Sequence, residues 1–494
     1  MKMKLLGPPG CGKTTALLEY LEKELEAGVL PHRVAFLTFT RAARYEALQR
    51  TQKTNEEFPY LKTIHSICYH QLGTGRDQIV RPEDIRVFGK KIGIKLTGNE
   101  LDPWIEEFER GNDAPTRDDM LLQVNHQGRH RKIMLKEALQ ETPLDIDWHY
   151  ASWFTNAYRN WKVSEGMLDY TDLLTDYVEF GEPLDIDVLF VDEAQDLSKL
   201  QWDVVNILGA KAQRWYTAGD DDQAIFDWAG ADSSVFQAFQ ADQTRVLNQS
   251  YRVSRAVHGM AQNVVRRIEH RLTKDYDPTK SDGYVGQAGY LGSIDLSQRT
   301  FILFRNHYRG AILSEVLKKE GIPYTGKGSP LTNLDARAAL LAWAKLIKEG
   351  EAKTEEIKRM LKYCDTDYLN FNIEKKLKEN GGLKAEQVFM RVPYLKQWYT
   401  VLKDIPHRDI LASYVDNWGF KAVASPNLEL MSIHQSKGRE AHTVVIDPEI
   451  SRAVWLGMIK NPDSEHRVHY VAVTRAKERV FILFPDGNYS YVYF

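Results

Sequence analysis

The stretch GPPGCGKT, residues Gly7–Thr14, decides the fold of this chain. It fits the pattern G-x-x-x-x-G-K-[ST], in which glycines let backbone N–H groups surround a phosphate, a lysine reaches the outer phosphates and a hydroxyl holds Mg²⁺. The run KMKLL before it predicts a strand, and TTALLEYLEKELEAG after it carries leucines at helical spacing. A Gly-Pro surface turn is the weaker alternative, because it explains neither flank. The candidate nucleotide-binding residues of this loop are Gly7, Pro8, Pro9, Gly10, Cys11, Gly12, Lys13, Thr14 and Thr15.

A second stretch, DVLFVDEAQD at residues 187–196, predicts an apolar strand that ends in acidic side chains. In open α/β sheets ligands bind at the carboxyl ends of the strands. Asp192 would hold Mg²⁺ there, and Glu193 would orient or deprotonate the attacking water. The alternative is a helix start that carries acids without any nucleotide. Beside a phosphate loop, the sequence favours the catalytic interpretation.

The composition limits the remaining possibilities. With 494 residues, 43% of them hydrophobic, the chain is long enough for about two to four domains. A formal net charge of −3 provides no overall basic field, so any nucleic-acid binding must rely on a local groove. Three cysteines cannot supply the four ligands of an all-cysteine zinc or iron–sulfur site. The start of the sequence lacks the apolar core of a signal peptide, and no apolar run approaches the ~20 residues of a membrane span.

Strand-like and helical stretches alternate along the chain. KMKLL, RVAFLTFT, DVLFVDEA and QRWYTAGD lie in the first half, and TFILFRN, TVVIDPE and RVFILF lie in the second. This alternation predicts an α/β fold with two parallel sheets, one in the first half and one from about residue 250 to the end. Residues 70–150 and 336–424 are polar and helical in pattern, and we expect them to be insertions.

Three further stretches suggest that the protein binds nucleic acid. AFLTFTRAARYEA offers hydroxyls and an arginine that suit a phosphodiester backbone, although a solvated loop is the better explanation of this stretch when it is taken alone. TIHSICYHQL offers His65, and a lone histidine is more often simply packed or exposed. In AGDDDQAIFDWAGAD, Gln223 could sense the terminal phosphate and Trp228 could stack on an unpaired base, which contributes ~1–3 kcal/mol. The candidate DNA-binding residues here are Thr38, Phe39, Thr40, Arg41, His65 and Trp228.

With these motifs in place, the chain resembles the superfamily 1A helicases of the UvrD, Rep and PcrA type. The resemblance is also carried, in order along the chain, by GMLDYTDLL, LNQSYRVS, FILFRNHYRG, LELMSIHQSKGREAHTVVI and HYVAVTRAKERVFIL. It implies two RecA-like motor domains, each with an inserted, mainly helical subdomain. The implied boundaries are 1–69 and 151–249 for the first motor, 70–150 for its insertion, 250–335 and 425–494 for the second motor, and 336–424 for its insertion.

The resemblance also implies residue roles. Tyr251 would stack on adenine, Arg252 would contact the γ-phosphate and Arg475 would act as an arginine finger. Glu440, in the same motif as Gly438, would bind ribose. The implied catalytic residues are Lys13, Glu193, Gln223, Arg252 and Arg475, and Ser432 and His434 would lie near DNA. Since residues from 250 onward are assigned to the second sheet, both arginines would reach the nucleotide only when the two motors close.

The implied activity is that of an ATP- and Mg²⁺-dependent DNA helicase that translocates 3′ to 5′ on single-stranded DNA and unwinds duplex. Expected partners are single-stranded DNA and single-strand/duplex junctions, and no membrane. We expect a monomer, with a nuclease or a replication or repair factor left open as a protein partner. The expected location is the cytoplasm, of a bacterium or of a host if the source is a phage. The alternatives are a translocase that displaces proteins without unwinding, and a nucleotide-switched subunit of a nuclease complex.

The tail ERVFILFPDGNYSYVYF predicts two alternating strands around a Pro-Asp-Gly-Asn turn. In the resembled family, a hairpin in this place can separate the DNA strands. Tyr489, Tyr491 or Tyr493 would then provide its aromatic tip. An ordinary edge hairpin that closes the second sheet is the alternative.

Overall fold

The computed structural model describes residues 1–38, 48–52, 54, 56–98, 116–142 and 144–494. The chain divides into two compact units. The first consists of Met1–Val253, Val264–Thr279 and Gly457–Tyr470, and the second of Ser254–Asn263, Lys280–Leu456 and Val471–Phe494. Each unit contains a six-stranded sheet in which the paired strands run parallel. The prediction of an α/β fold with two RecA-like parallel sheets is therefore confirmed.

The first sheet has the strand order β3-β2-β4-β5-β1-β6. Its strands are β1 (Lys2–Leu6), β2 (Val34–Leu37), β3 (Tyr60–Lys62), β4 (Val188–Val191), β5 (Arg214–Gly219) and β6 (Gln243–Val246). Every residue of β2 and β4 is buried, as expected for parallel strands that are covered on both faces. Because the strands are parallel, the residues that follow β1, β4 and β5 meet at one edge of the sheet, where the site lies.

The second sheet has the strand order β7-β14-β13-β8-β12-β9. Its strands are β7 (Tyr284–Ala288), β8 (Thr300–Phe304), β9 (Tyr324–Gly326), β12 (Leu428–Ser432), β13 (Ala441–Ile446) and β14 (Ala476–Leu483). A separate antiparallel pair, β10 (Glu351–Lys353) and β11 (Gly382–Lys384), lies within the predicted second insertion. That insertion is therefore helical with one short two-stranded element.

Helices account for about half of the remaining described chain. In chain order they are Lys13–Glu26, Ile64–Gln71, Pro82–Lys91, Arg117–Arg131, Leu135–Gln140, Trp148–Glu165, Tyr170–Phe180, Lys199–Leu208, Ser233–Ala238, Arg255–Val265, His307–Lys319, Leu334–Glu349, Thr354–Leu361, Ile373–Glu379, Ala385–Val388, Trp398–Val401, Arg408–Ala424, Arg452–Lys460 and Pro462–Val473. Within the described ranges, none of these helices has the length and apolar character that a bilayer span requires.

A small core crosses the predicted end of the first insertion at residue 150. Phe88 and Leu121 of the insertion are buried in it together with Phe154 and Tyr158, which follow that boundary, and Phe88 and Tyr158 meet edge to face with ring centroids 5.4 Å apart. A cluster that is separate from the core beneath the sheet fits a segment inserted between strands. The exact subdomain boundaries remain predictions.

The tail departs from its prediction. β14 pairs in parallel with both β13 and β7, so neither of its edges is open to an antiparallel partner. Within the described chain no strand follows Leu483, and the tail makes a single isolated bridge, between Ser490 and Glu449. Tyr491 is buried. The predicted hairpin is wrong, and a strand-separating pin built on it loses its structural basis.

Three segments lie in the first unit although they follow residue 249. Ser250 Oγ donates a hydrogen bond to the Pro9 carbonyl (2.8 Å), which places Ser250–Val253 against the phosphate loop. Lys274 pairs with the aspartates that follow β5, and Arg467 Nε donates to the Asp221 carbonyl (2.9 Å). These contacts differ from the sequence-based assignment of all residues from 250 onward to the second sheet. The strand pattern could not reveal them, because none of these segments contains a strand.

Candidate nucleotide site and nucleic-acid contacts

The phosphate loop lies between the end of β1 at Leu6 and the helix that begins at Lys13. Gly10 and Gly12 have φ angles of +72° and +75°, which glycine adopts without the strain that a Cβ would cause. The Gly7 N–H donates to the Gly219 carbonyl (3.1 Å), which ties the loop to the end of β5. The predicted strand–loop–helix arrangement is present. The start of a helix presents backbone N–H groups and the positive end of the helix dipole, which favour an anion.

The two leading motifs meet at the predicted metal position. Thr14 Oγ1 donates to Asp192 Oδ2 at 2.7 Å, and Lys13 Nζ donates to the Gly7 carbonyl at 3.0 Å. A hydroxyl and a carboxylate are the hard oxygen ligands that Mg²⁺ prefers, so the residues present fit the ion. Burial and the neighbouring Glu193 raise the pKa of Asp192 to about 6.

Glu193 begins a polar chain across the sheet edge. It adopts a left-handed backbone (φ +49°), which is uncommon for a residue with a side chain, two positions after the last residue of the buried strand β4. Gln195 Nε2 donates to Glu193 Oε2 (2.8 Å), and Gln195 Oε1 accepts the Asp220 N–H (2.9 Å). Gln223 Nε2 donates to Asp220 Oδ2 (2.6 Å). The predicted catalytic carboxylate and the predicted phosphate sensor are therefore connected through Gln195 and Asp220.

Three buried aspartates, Asp220, Asp221 and Asp222, follow β5 and surround one ammonium group. Their carboxylates each contact Lys274 Nζ, at 3.1 Å for Asp220 and 3.0 Å for Asp222. Arg271 adds a bidentate pair with Asp222, at 2.7 and 2.6 Å. Although the three carboxylates are close enough to hold a metal ion, the lysine already occupies the position between them.

Tyr251 and Arg252 belong to the segment 250–253, which packs against the phosphate loop. The Tyr251 N–H donates to the Gly10 carbonyl (2.9 Å), and its side chain is 77% exposed. A Cβ placed on Gly10 would lie 2.3 Å from Cβ of Arg252, so these two backbones are in close contact. Arg252 therefore belongs to the first unit, beside the loop. The expectation that it would reach the nucleotide only on closure of two motors is corrected for this residue.

The predicted nucleotide residues of the second unit are held within that unit. Arg475 is 2% exposed and donates to the carbonyls of Val471 (3.1 Å) and Arg439 (3.3 Å). Glu440 pairs with Lys477 at 2.5 Å. Gly438 has a φ of +77° and no heavy atom within 4 Å of a Cβ position. Their roles toward a nucleotide stay predictions.

The candidate DNA-binding residues are placed in separate parts of the molecule. In the first unit, Thr38 is buried at the end of β2, His65 packs edge to face on Tyr170 with centroids 5.9 Å apart, and Trp228 is half-buried. Phe39, Thr40 and Arg41 lie outside the described residues. In the second unit, Ser432 exchanges hydrogen bonds with Gln435 (3.1–3.2 Å). His434 lies in the same turn.

Sequence reasoning missed three residues of this site. Gln195 stands two positions after Glu193, and its place beside the acidic pair was a usable signal. Lys274 is distant in sequence from the aspartates that it contacts, and no local pattern marks it. Gln127, in the predicted first insertion, donates from Nε2 to the Trp228 carbonyl, and a helix-surface glutamine carries no such signal.

Comparison with known proteins shows which protein family this chain matches. A model described as the UvrD/REP helicase N-terminal domain matches residues 1–244, and one described as the UvrD-like helicase C-terminal domain matches residues 342–486. Together the two models match more than three quarters of the chain.

Individual relatives with helicase names match this chain at low sequence identity. A protein of Mycoplasma capricolum named probable DNA helicase II homolog is 22% identical over 609 aligned positions, covering 99% of this chain and 83% of the relative. The ATP-dependent DNA helicase PcrA of Staphylococcus aureus is 25% identical and that of Staphylococcus epidermidis 24%. Both of these matches cover 66% of this chain, which spans about half (48%) of each PcrA protein. Ordered motifs, two parallel sheets and both family models agree: the chain belongs to the superfamily 1A helicases of the UvrD, Rep and PcrA type, a family of ATP-hydrolysing DNA helicases.

Proposed function

We propose that this chain is an ATP-dependent DNA helicase that translocates 3′ to 5′ on single-stranded DNA and unwinds duplex. The observation that supports it most directly is the 2.7 Å hydrogen bond from Thr14 to Asp192, which joins the two halves of a phosphoryl-transfer site. Glu193 follows at the same sheet edge. The polarity and the DNA track rest on the family.

Each residue of the site has a definite task in this proposal. The loop N–H groups and Lys13 bind the phosphates, and Glu193 orients or deprotonates the attacking water. Thr14 and Asp192 would hold Mg²⁺, which when bound neutralises charge on the phosphates. Tyr251, with its exposed ring, supports the adenine.

The nucleotide site and the proposed DNA contact share one loop. Gln223 and Trp228 are five residues apart in the segment that follows β5, so a change at the γ-phosphate can move the residue that stacks on a base. A stacked base contributes ~1–3 kcal/mol, enough to make the grip on the strand depend on the nucleotide state. Because the proposed substrate is DNA, the proposed place of action in a bacterium is the cytoplasm.

The first experiment is steady-state ATP hydrolysis by the purified chain without nucleic acid, and with single-stranded DNA, duplex DNA or single-stranded RNA. We expect strong stimulation by single-stranded DNA. Stimulation by RNA alone would mean that the protein moves on RNA and not on DNA. An ATP hydrolysis rate that no nucleic acid changes would contradict the proposal that the protein is a nucleic-acid motor. That last outcome would favour the alternative of a nucleotide-switched subunit of a nuclease complex. Copurification could then identify its partner protein.

The second experiment separates unwinding from translocation. Duplexes with a 3′ or a 5′ single-stranded tail are mixed with the protein and ATP, and release of the labelled strand is measured. Release from the 3′-tailed duplex alone is expected. If ATP turnover is stimulated but neither duplex opens, displacement of streptavidin from biotinylated single strands tests the translocase alternative.

A further inference from the structure

The acidic loop after β5 carries more charge than a buried loop can hold by itself. Asp220, Asp221 and Asp222 are at most 1% exposed, and the Lys274 side chain between them is also 1% exposed. A buried carboxylate without a compensating partner is strongly unfavourable. Burial also opposes the charge of Lys274, but the three aspartates raise its pKa, so the ammonium stays charged. The cluster therefore depends on this lysine.

The three aspartates differ in their other partners. Asp222 has the bidentate Arg271, and Asp221 accepts the Leu272 N–H (2.7 Å) and Gln237 Nε2 (2.9 Å). The Asp220 carboxylate instead lies between Lys274 and the site. Its Oδ1 is 3.1 Å from Lys274 Nζ, and its Oδ2 accepts Gln223 Nε2 at 2.6 Å.

We propose that Lys274 is a positioning residue for ATP hydrolysis, which fixes the Asp220 carboxylate and through it the amide of Gln223. The proposal rests on the proposed function of the same site. The Lys274 ammonium is buried among the three aspartates, so in this proposal it acts through Asp220.

The position of Asp220 affects both sides of the site. Its carboxylate orients Gln223, and its backbone N–H donates to Gln195, which in turn donates to Glu193. A misplacement of about 1 Å at a supporting residue can lower a rate by about 100-fold. Loss of Lys274 should therefore reduce turnover through both Gln223 and Glu193, while the phosphate loop, which lies between β1 and the helix that begins at Lys13, still binds nucleotide.

The test compares Lys274→Met with the double variant Lys274→Met/Asp221→Asn. The double variant removes one buried negative charge together with the positive one, and an asparagine at 221 can still accept the Leu272 N–H. Lys132→Met is the matched control, because Lys132 pairs with Asp203 at an exposed position of the same unit. Thermal unfolding, nucleotide affinity, and kcat and KM for DNA-stimulated ATP hydrolysis are measured on each.

We expect Lys274→Met to lower the melting temperature and to lower kcat by about 10- to 100-fold, with KM within about threefold of wild type. The double variant should recover the melting temperature but keep the low kcat. Lys132→Met should match wild type in all measurements.

Recovery of both stability and kcat in the double variant would show that Lys274 only balances charge, and would overturn the proposal. A wild-type kcat in Lys274→Met, or failure of both variants to fold, would also overturn it. A wild-type protein without ATP hydrolysis contradicts the proposed function instead, so the two failures are distinguishable.

Discussion

The predicted catalytic and nucleotide-binding residues have different neighbours in the two units. In the first unit, side chains of the candidate site contact one another: Thr14 contacts Asp192, and Gln223 contacts Asp220. In the second unit, Arg475 is buried against backbone carbonyls of its own unit, and Glu440 is paired with Lys477. The side chains of the first site are already in contact with one another, whereas Arg475 donates to acceptors of its own unit. Preorganised donors need little rearrangement during reaction, so we expect the first unit to bind nucleotide and the second to regulate its turnover.

The largest expected effect tests the preorganised side. Glu193→Gln keeps the size of the side chain and an oxygen that can accept from Gln195, but removes the carboxylate that handles the attacking water. We expect ATP turnover to fall to background while the circular dichroism spectrum and nucleotide affinity persist. Lys13→Ala should also abolish turnover, and should weaken nucleotide binding as well. Wild-type turnover in a folded Glu193→Gln protein would show that this carboxylate has no catalytic task.

The next effect concerns Arg475. If it serves as an arginine finger, Arg475→Ala should reduce kcat by about 10³-fold, the lower end for such residues. Nucleotide affinity should change little, because the phosphate loop is intact. Stopped-flow binding of a fluorescent ATP analogue and steady-state turnover separate the two quantities. A kcat within about threefold of wild type would leave Arg475 with a structural task only.

Glycine substitutions give a matched comparison of the two units. Gly10 and Gly438 share a left-handed φ, but only Gly10 faces a close neighbour, Cβ of Arg252. Gly438→Ala should cost about 1–2 kcal/mol of stability, from the backbone alone. Gly10→Ala should cost more than this and should also weaken ATP binding by about tenfold or more, because the loop must move. Chemical denaturation and nucleotide titration measure both, and equal effects at the two positions would contradict the comparison.

The smallest effect is a thiol reactivity. Burial raises the pKa of both Cys11, in the phosphate loop, and Cys364, in the second unit, to about 12. Since the thiolate is the reactive form, native alkylation should be slow and should rise about tenfold per pH unit between pH 9 and 11, where an ordinary thiol has levelled off. Bound ATP should slow alkylation at Cys11 and leave Cys364 unchanged. Mass spectrometry of iodoacetamide adducts measures each site, and equal protection of both would argue against a local nucleotide effect.

The parts of the molecule that the sequence predicts are those with short-range signals. The phosphate loop is bounded by a strand and a helix as its flanks indicate, and the acidic pair follows a fully buried strand. The tail was mispredicted because alternation and a turn motif describe a hairpin, but cannot show that both edges of β14 are already occupied. Lys274 was missed because its partners are brought to it by the fold and not by spacing.

The contact between Gln127 and the Trp228 carbonyl has a consequence for protein engineering. A Cβ placed on Gly230 would lie 2.7 Å from Cβ of His130, so the helix Arg117–Arg131 and the loop that carries Trp228 are shaped to each other. A chimaera that exchanges residues 70–150 for those of another family member would replace the helix surface that contacts the loop. The loop that carries Trp228 would then lose these contacts. Grafts at this site should therefore transfer the helix and the loop together.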